Sequence, residues 1–287
     1  MNFYDAAFLL LIVACGILTW RQYRNGRGVV NRKSLTHDAV SPRAKAEASK
    51  FTRLFLMVYC LVQASDWLQG PYIYSLYHDE FGLSERTVAL LFTTGYLTAA
   101  ISGYFVGQFA DKYGRKLACL IFCVTYSIAC ASTLVPNNVI LFSGRGFGGL
   151  SASLMSSAFE SWMVTEYHKR QLDHAGMSLS SMFGIMTTIN SIVAIISGIF
   201  SEWLVEVTHT QTAPFMASTA LLSVAFWIIW GFWSENYGES RQGEMSEVPV
   251  KSALKTVFTD KRVLTLGLAS CFFEGSITVL PRFQIYL

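Results

Sequence analysis

Charged side chains are scarce: Asp, Glu, Lys and Arg make up 14% of the 287 residues, against 52% hydrophobic. A soluble globular domain carries roughly a quarter charged residues, so this balance, with its positive mean hydropathy, is that of a polytopic membrane protein. Catalytic groupings are also missing. The five histidines (His37, His78, His168, His174 and His209) are scattered through loops and form no metal-binding cluster. No nucleophile stands beside a base, which leaves no basis for an enzyme, a resident metal or a cofactor. The run Gly144 to Gly149 (GRGFGG) fits a dinucleotide-binding fingerprint letter by letter, but it lies within an apolar span with no strand before it, so the match is rejected. The net charge of +3 is not gathered into a patch that would bind nucleic acid. Six cysteines (Cys15, Cys60, Cys119, Cys123, Cys130 and Cys271) sit in apolar runs and read as buried free thiols.

What is present is a series of long apolar runs. A helix crossing a bilayer needs roughly twenty mostly apolar residues, and eight segments qualify: 3–20, 54–77, 86–109, 117–135, 139–165, 177–204, 214–233 and 263–280. Around the first, Asp5 precedes the apolar run while Arg21, Arg24 and Arg27 follow it, the reverse of a secretory signal; an uncleaved anchor with its N-terminus outside is expected. The basic residues alternate with the loops. Nine Lys/Arg lie between Arg21 and Arg53, three between Asp111 and Lys116, two at Lys169 and Arg170, and five between Ser234 and Arg262. The opposite loops hold only Arg86 and Arg282, and 136–138 and 205–213 hold none. By the positive-inside rule the basic loops are cytoplasmic. An all-α polytopic membrane protein is therefore expected, divided at 1–20 (N-terminal helix), 21–53 (basic, flexible or partly interfacial linker), 54–233 (six helices), 234–262 (central cytoplasmic loop) and 263–287. Within the central loop, Lys251, Leu254, Lys255, Val257, Phe258 and Lys261 have the spacing of a short interfacial helix.

Ionisable groups inside the spans are costly, from about 2.5 kcal/mol upward, unless they face a cavity or a partner. Asp66 lies near the centre of its span, one turn before Gly70 and Pro71, which loosen the helix and free backbone groups. Arg145 and Glu160 share another span but are ~22 Å apart along its axis, too far to pair. From Arg145, Gly149, Ser153, Ser157 and Ser161 continue at four-residue steps, a small polar stripe that either lines a water path or packs tightly. Glu274 occupies the middle of the last span. Three carboxylates against one arginine make proton-coupled transport or a hydrogen-bonded structural network the two readings of the set. A second stripe, Gly95, Ala99, Gly103 and Gly107, recurs every four residues and ends at Asp111, leaving an edge of nearly bare backbone for close helix approach.

The form Gly107, Asp111, Lys112, Gly114, Arg115, Lys116 within GYFVGQFADKYGRK resembles the loop between the second and third helices of the major facilitator superfamily. Arg145 with Gly149 is similar to that superfamily's helix-four signature. Asp66-Trp-Leu-Gln-Gly-Pro-Tyr72, Ser157-Ala-Phe-Glu-Ser-Trp162 and Phe273-Glu-Gly-Ser276 look like the eukaryotic molybdate-anion transporter family, and the resemblance runs from residue 1 to about 276. It implies the N-terminal six-helix half of a major facilitator fold, preceded by one extra transmembrane helix and followed by the first helix of a second half. It also implies Asp66, Gln69, Arg145, Glu160 and Glu274 as residues of a substrate or proton pathway. Gly103, Gly107, Asp111, Gly114, Arg115 and Lys116 would form a gating loop, and the stripe from Gly95 would meet a helix of the second half. After Ser276 the sequence departs from the family pattern, and a truncated form is expected.

Three functions follow from this reading. The first is transport of a small oxyanion, molybdate by resemblance, by alternating access across the plasma membrane. A carrier of sugars or other organic solutes is the second, suggested by Trp67, Gln69, Tyr72 and Trp162, whose rings and amide suit hydroxylated ligands. The third is a non-transporting scaffold or regulator arising from truncation, associating with itself or with a full-length copy.

Overall fold

The structure, a computed structural model, describes residues 41–238 and 259–284, with side chains in the second stretch as far as Phe272. The expected N-terminal helix, most of the basic linker and the interfacial helix of the central loop lie outside the described residues, as does the side chain of Glu274. Two units are present, one ending at Gly238 and one beginning at Glu239.

The first unit is a bundle of six long helices: α1 (Pro42–Gln69), α2 (Glu85–Tyr113), α3 (Arg115–Ser132), α4 (Asn138–Lys169), α5 (Leu179–Thr208) and α6 (Ala213–Phe232). The second contributes α7 (Lys261–Gln284). Among the described residues there is no strand. The molecule is thus the all-helical membrane protein its composition calls for.

α1 starts well before the apolar run at residue 54, so of the two expectations for the linker, flexible or partly interfacial, the flexible one is corrected from Pro42 onward. Proline at the first helical turn and the alanine-rich run that follows explain the early start. The helix breaks where Gly70 and Pro71 fall, and the chain continues through a short helical turn (Ile73–Ser75) and a π-helical turn (Leu76–Glu80). Tyr72 N–H donates to Gln69 O at 3.2 Å and Leu76 N–H to Tyr72 O at 2.8 Å, so the backbone groups freed by the break find partners. Ser84, Asn137 and Ser178 cap α2, α4 and α5, each accepting a backbone N–H in its side-chain oxygen.

Four of these helices, α2, α3, α5 and α6, are long and apolar enough to cross a membrane by length and composition. The long helices α1 and α4 carry the polar residues instead and make much of the bundle interior: α4 packs on α2 and α3, and α1 on α5 and α6. Polar groups in a bilayer are tolerated on such inward or cavity-facing surfaces. The core is aromatic at one end, where Phe51, Phe55, Trp162 and Trp233 stack, the two indoles with centroids 3.7 Å apart. Cys119, Cys123 and Cys130 are buried free thiols, but Cys60 is half-buried and Cys271 exposed, a correction for those two: apolar surface on a membrane helix need not face protein.

Successive helices run in opposite directions, so Lys112, Arg115, Lys116, Lys169 and Arg170 gather with the start of α1 at one end, called here the basic end. At the other end, Glu80 accepts from Thr210 Oγ1 at 3.1 Å and from Gln211 N–H at 2.9 Å, tying the π-helical turn to the α5–α6 connection.

Candidate functional site: a polar face and a locked loop

The small-residue stripe of α2 finds its partner inside the same unit. A Cβ on Gly149 of α4 would lie 2.3 Å from the Gly95 carbonyl oxygen and 2.9 Å from the Ala99 nitrogen. Ser153 Oγ donates to Ala99 O at 2.7 Å, and Ser102 and Ser153 hydroxyls are 3.0 Å apart. α4 thus covers the Gly95–Ala99 part of the stripe, whereas Gly103 and Gly107 stay uncovered within this unit. In the serine stripe Gly149 and Ser153 form a packing seam, and beyond it the half-buried Ser157 donates its Oγ–H to its own helix, at Ser153 O (2.9 Å). Gly103 stands at the edge of this seam, with Ser153 Oγ at 3.7 Å from a built Cβ, and Gly107 is open.

The seam places Arg145. Its guanidinium lies against Gly95, where a Cβ would come within 3.0 Å of NH2, and its Cζ sits 5.1 Å from the centre of the Phe92 ring. The Tyr77 hydroxyl is beside it. Its Nε is buried and has no hydrogen-bond partner, and no described carboxylate pairs with it. Across the bundle, Tyr126 of α3 donates its hydroxyl to Asp66 Oδ1 and is within electrostatic reach of Arg145. Gln69 is turned into the packing instead, donating to Ser65 O (3.0 Å) and approaching Cys130 Sγ (3.4 Å).

Further along α1, Tyr59, Gln63 and Trp67 line one face at helical spacing. Asn190 of α5 joins them, its Oδ1 accepting from Gln63 Nε2 at 2.7 Å and from Trp67 Nε1 at 2.8 Å. Glu160 is exposed on α4 and interacts electrostatically with Tyr59, away from Arg145. Tyr126 thus links to Asp66 by a hydrogen bond and to Arg145 only electrostatically, whereas Glu160 interacts with Tyr59 beside the Gln63–Asn190–Trp67 group. Reading the sequence missed Tyr59, Tyr126 and Asn190. Asn190 could have been found as an amide in an otherwise apolar helix; tyrosine, at home in cores and at interfaces alike, gives no such signal.

At the basic end the expected gating loop is locked. Arg115 binds Asp111 through Nε (2.9 Å) and NH2 (2.7 Å), and its NH1 reaches Ser161 O at 3.0 Å and the Thr165 hydroxyl on α4. The residues after α6, Ser234 to Gly238, lie across this loop. Glu235 accepts from the N–H groups of Lys116 (2.8 Å) and Leu117 (3.2 Å), capping the start of α3. Arg115 N–H donates to Asn236 O (2.9 Å) and Gly238 N–H to Asp111 O (3.1 Å). Gly114 has φ +119°, and a Cβ there would be 2.5 Å from the Glu235 carboxyl carbon, so both its conformation and its neighbour require glycine. Lys116 Nζ donates to Trp230 O at 2.9 Å. Substituting Glu235→Ala leaves the α3 N-terminus uncapped. A loss of about 1 kcal/mol is expected, read as a lower melting temperature of the purified protein with faster hydrogen exchange at Lys116 and Leu117. Unchanged exchange at those two amides would mean that Glu235 does not cap the helix in solution.

An alternating six-helix bundle with a polar face and this locked loop is the architecture of a helical membrane protein of the major facilitator type. A family profile described as sugar transporters with 12 transmembrane segments matches residues 26–282. The chain belongs to the major facilitator superfamily, in the family that includes the molybdate-anion transporters. It is 28% identical over 269 residues to the molybdate-anion transporter of Takifugu rubripes, a match covering 86% of this chain and 56% of that protein. It is 26% identical over 301 residues to that of Danio rerio, covering 96% and 60%. A shorter match, 27% over 103 residues, is to the sialic acid transporter NanX of Escherichia coli, covering 34% of this chain and 25% of that protein. The chain thus spans little more than half the length of the first two relatives.

Proposed function

We propose that this protein serves in the transport of a small oxyanion, molybdate, by alternating access, with the basic loops cytoplasmic and the plasma membrane as its site. The observation that carries this reading is Arg145: a guanidinium positioned by the glycine seam beside the Tyr77 hydroxyl, with no described carboxylate ion-paired to it. A dianion that reaches this guanidinium would be held by charge-assisted hydrogen bonds in a low-dielectric surrounding. Asp66, hydrogen-bonded to Tyr126 beside it, is the group through which proton movement would couple to anion binding. Glu160 and the Gln63–Asn190–Trp67 cluster extend the polar face toward the basic end, and Glu274 remains a candidate on α7.

The experiment is molybdate uptake by cells expressing the protein as its gene encodes it, measured across external pH with excess sulfate, sugar or sialic acid as competitors. Saturable molybdate uptake unaffected by sugars is expected, and Asp66→Asn should flatten its pH dependence at normal surface abundance. Unaltered pH dependence in that variant would remove Asp66 from coupling. A second reading, an organic-solute carrier, is favoured by the Trp67 indole and the Gln63–Asn190 amide pair, which suit hydroxylated ligands. Sugar uptake without molybdate uptake would establish it in place of the first.

A further inference from the structure

Away from the polar face, a cavity of ≈ 560 Å³ opens at the basic end, between the start of α1, the turn after α4 and the end of α6. Its volume is that of ligand pockets in general, and its lining is of two chemical kinds. Lys50 and Arg170 bring positive charge and His174 a ring N–H donor, with the Glu47 carboxylate also in the lining. Leu54 and Phe232 provide an apolar wall, and Phe232, 70% exposed, carries that wall onto the outer surface of the bundle.

The cations differ in freedom. Arg170 is fixed: its Nε binds Glu166 Oε2 at 2.8 Å and its Cζ lies 5.2 Å from the centre of the Phe51 ring. Lys50 and His174 are exposed side chains. Of the acids, Glu47 in the lining is drawn toward Arg43 at 3.5 Å, and Asp173 lies 3.9 Å from the His174 ring. Trp233, which also lines the cavity, is almost wholly buried, and its Nε1–H has no hydrogen-bond partner. Cationic donors on one side and hydrocarbon leading to the bilayer on the other form a site for an amphiphile with an anionic head. A free inorganic anion would use only half of it.

We propose that this cavity binds the phosphate-bearing headgroup of an anionic glycerophospholipid. Lys50 and His174 contact the phosphate, Arg170 holds the positive potential behind them, and Leu54 and Phe232 flank the glycerol and the first acyl carbons. Clustered cations beside a membrane helix attract such lipids generally; what the structure adds is a cavity of fitting size with an apolar exit. The proposed orientation makes this the cytoplasmic leaflet, but the site itself does not depend on which solute is carried.

The test is thermal unfolding and native mass spectrometry of the purified protein in phosphatidylcholine nanodiscs, with and without a minority of phosphatidylinositol. Phosphatidylinositol should raise the melting temperature by several degrees and be retained in the mass spectrum. The double variant Lys50→Gln/His174→Gln, and Lys50→Gln alone to a lesser degree, should melt like the wild type in pure phosphatidylcholine and lose both effects. An equal response in the variants, no response in the wild type, or the same stabilisation by inorganic phosphate would each overturn the proposal.

Discussion

Gly149→Ala is expected to cost the protein its stability at the α2–α4 seam. The added methyl would sit 2.3 Å from the Gly95 carbonyl oxygen and 2.9 Å from the Ala99 nitrogen, both backbone atoms that no rotamer change can move. Relief requires the helices to separate, which weakens the Ser153–Ala99 hydrogen bond and withdraws Gly95 from the Arg145 guanidinium. Overpacking typically costs about 1–3 kcal/mol, and a backbone clash belongs at the upper end of that range or beyond. The measurement is the melting temperature and monodispersity of the solubilised protein, with Gly107→Ala, whose new methyl meets nothing within 4 Å, as the matched control. Gly103→Leu belongs between the two, since its Cβ alone makes an ordinary 3.7 Å contact and only the branched end needs room. Equal stability of Gly149→Ala and Gly107→Ala would show that the two helices are further apart than described.

Arg145→Gln is expected to weaken molybdate uptake strongly while leaving the protein folded and at the cell surface. Glutamine can keep a hydrogen bond but removes the charge. A hydrogen bond to a charged group contributes about 1.5–3 kcal/mol, so apparent affinity should fall roughly ten- to a hundredfold. Arg145→Lys should recover part of the activity, because charge returns without the fixed fork of donors. Glu160→Gln, remote from Arg145, should affect uptake far less. Unchanged uptake in Arg145→Gln would leave the oxyanion reading without its principal residue, and a stronger defect in Glu160→Gln would move the substrate site toward the Tyr59–Asn190 group.

The helices and their alternation were legible because membrane burial imposes long apolar runs and segregated charge, both one-dimensional properties of a chain. The break after Gln69 was legible too, since glycine followed by proline acts on the local backbone whatever surrounds it. The early start of α1 was missed because alanine, lysine and glutamate form helix as readily as they form polar linkers. The loop from Asp111 to Lys116 could be recognised as a unit. That Glu235, more than a hundred residues later, caps the helix it begins could not be read from any local pattern.

By itself the sequence determined an all-helical membrane protein and the stretches of chain on which its charged residues lie, because each depends on composition and spacing along the chain. The tertiary structure alone decided which of those residues meet. It set Gly95 and Ala99 of the α2 stripe against α4, hydrogen-bonded Tyr126 to Asp66 within electrostatic reach of Arg145, sent Gln69 into the packing, and brought Glu160 near Tyr59. The reason is geometric: residues on separate helices meet according to how the helices rotate and cross, which side-chain volumes at the seams fix only when all the helices are packed together.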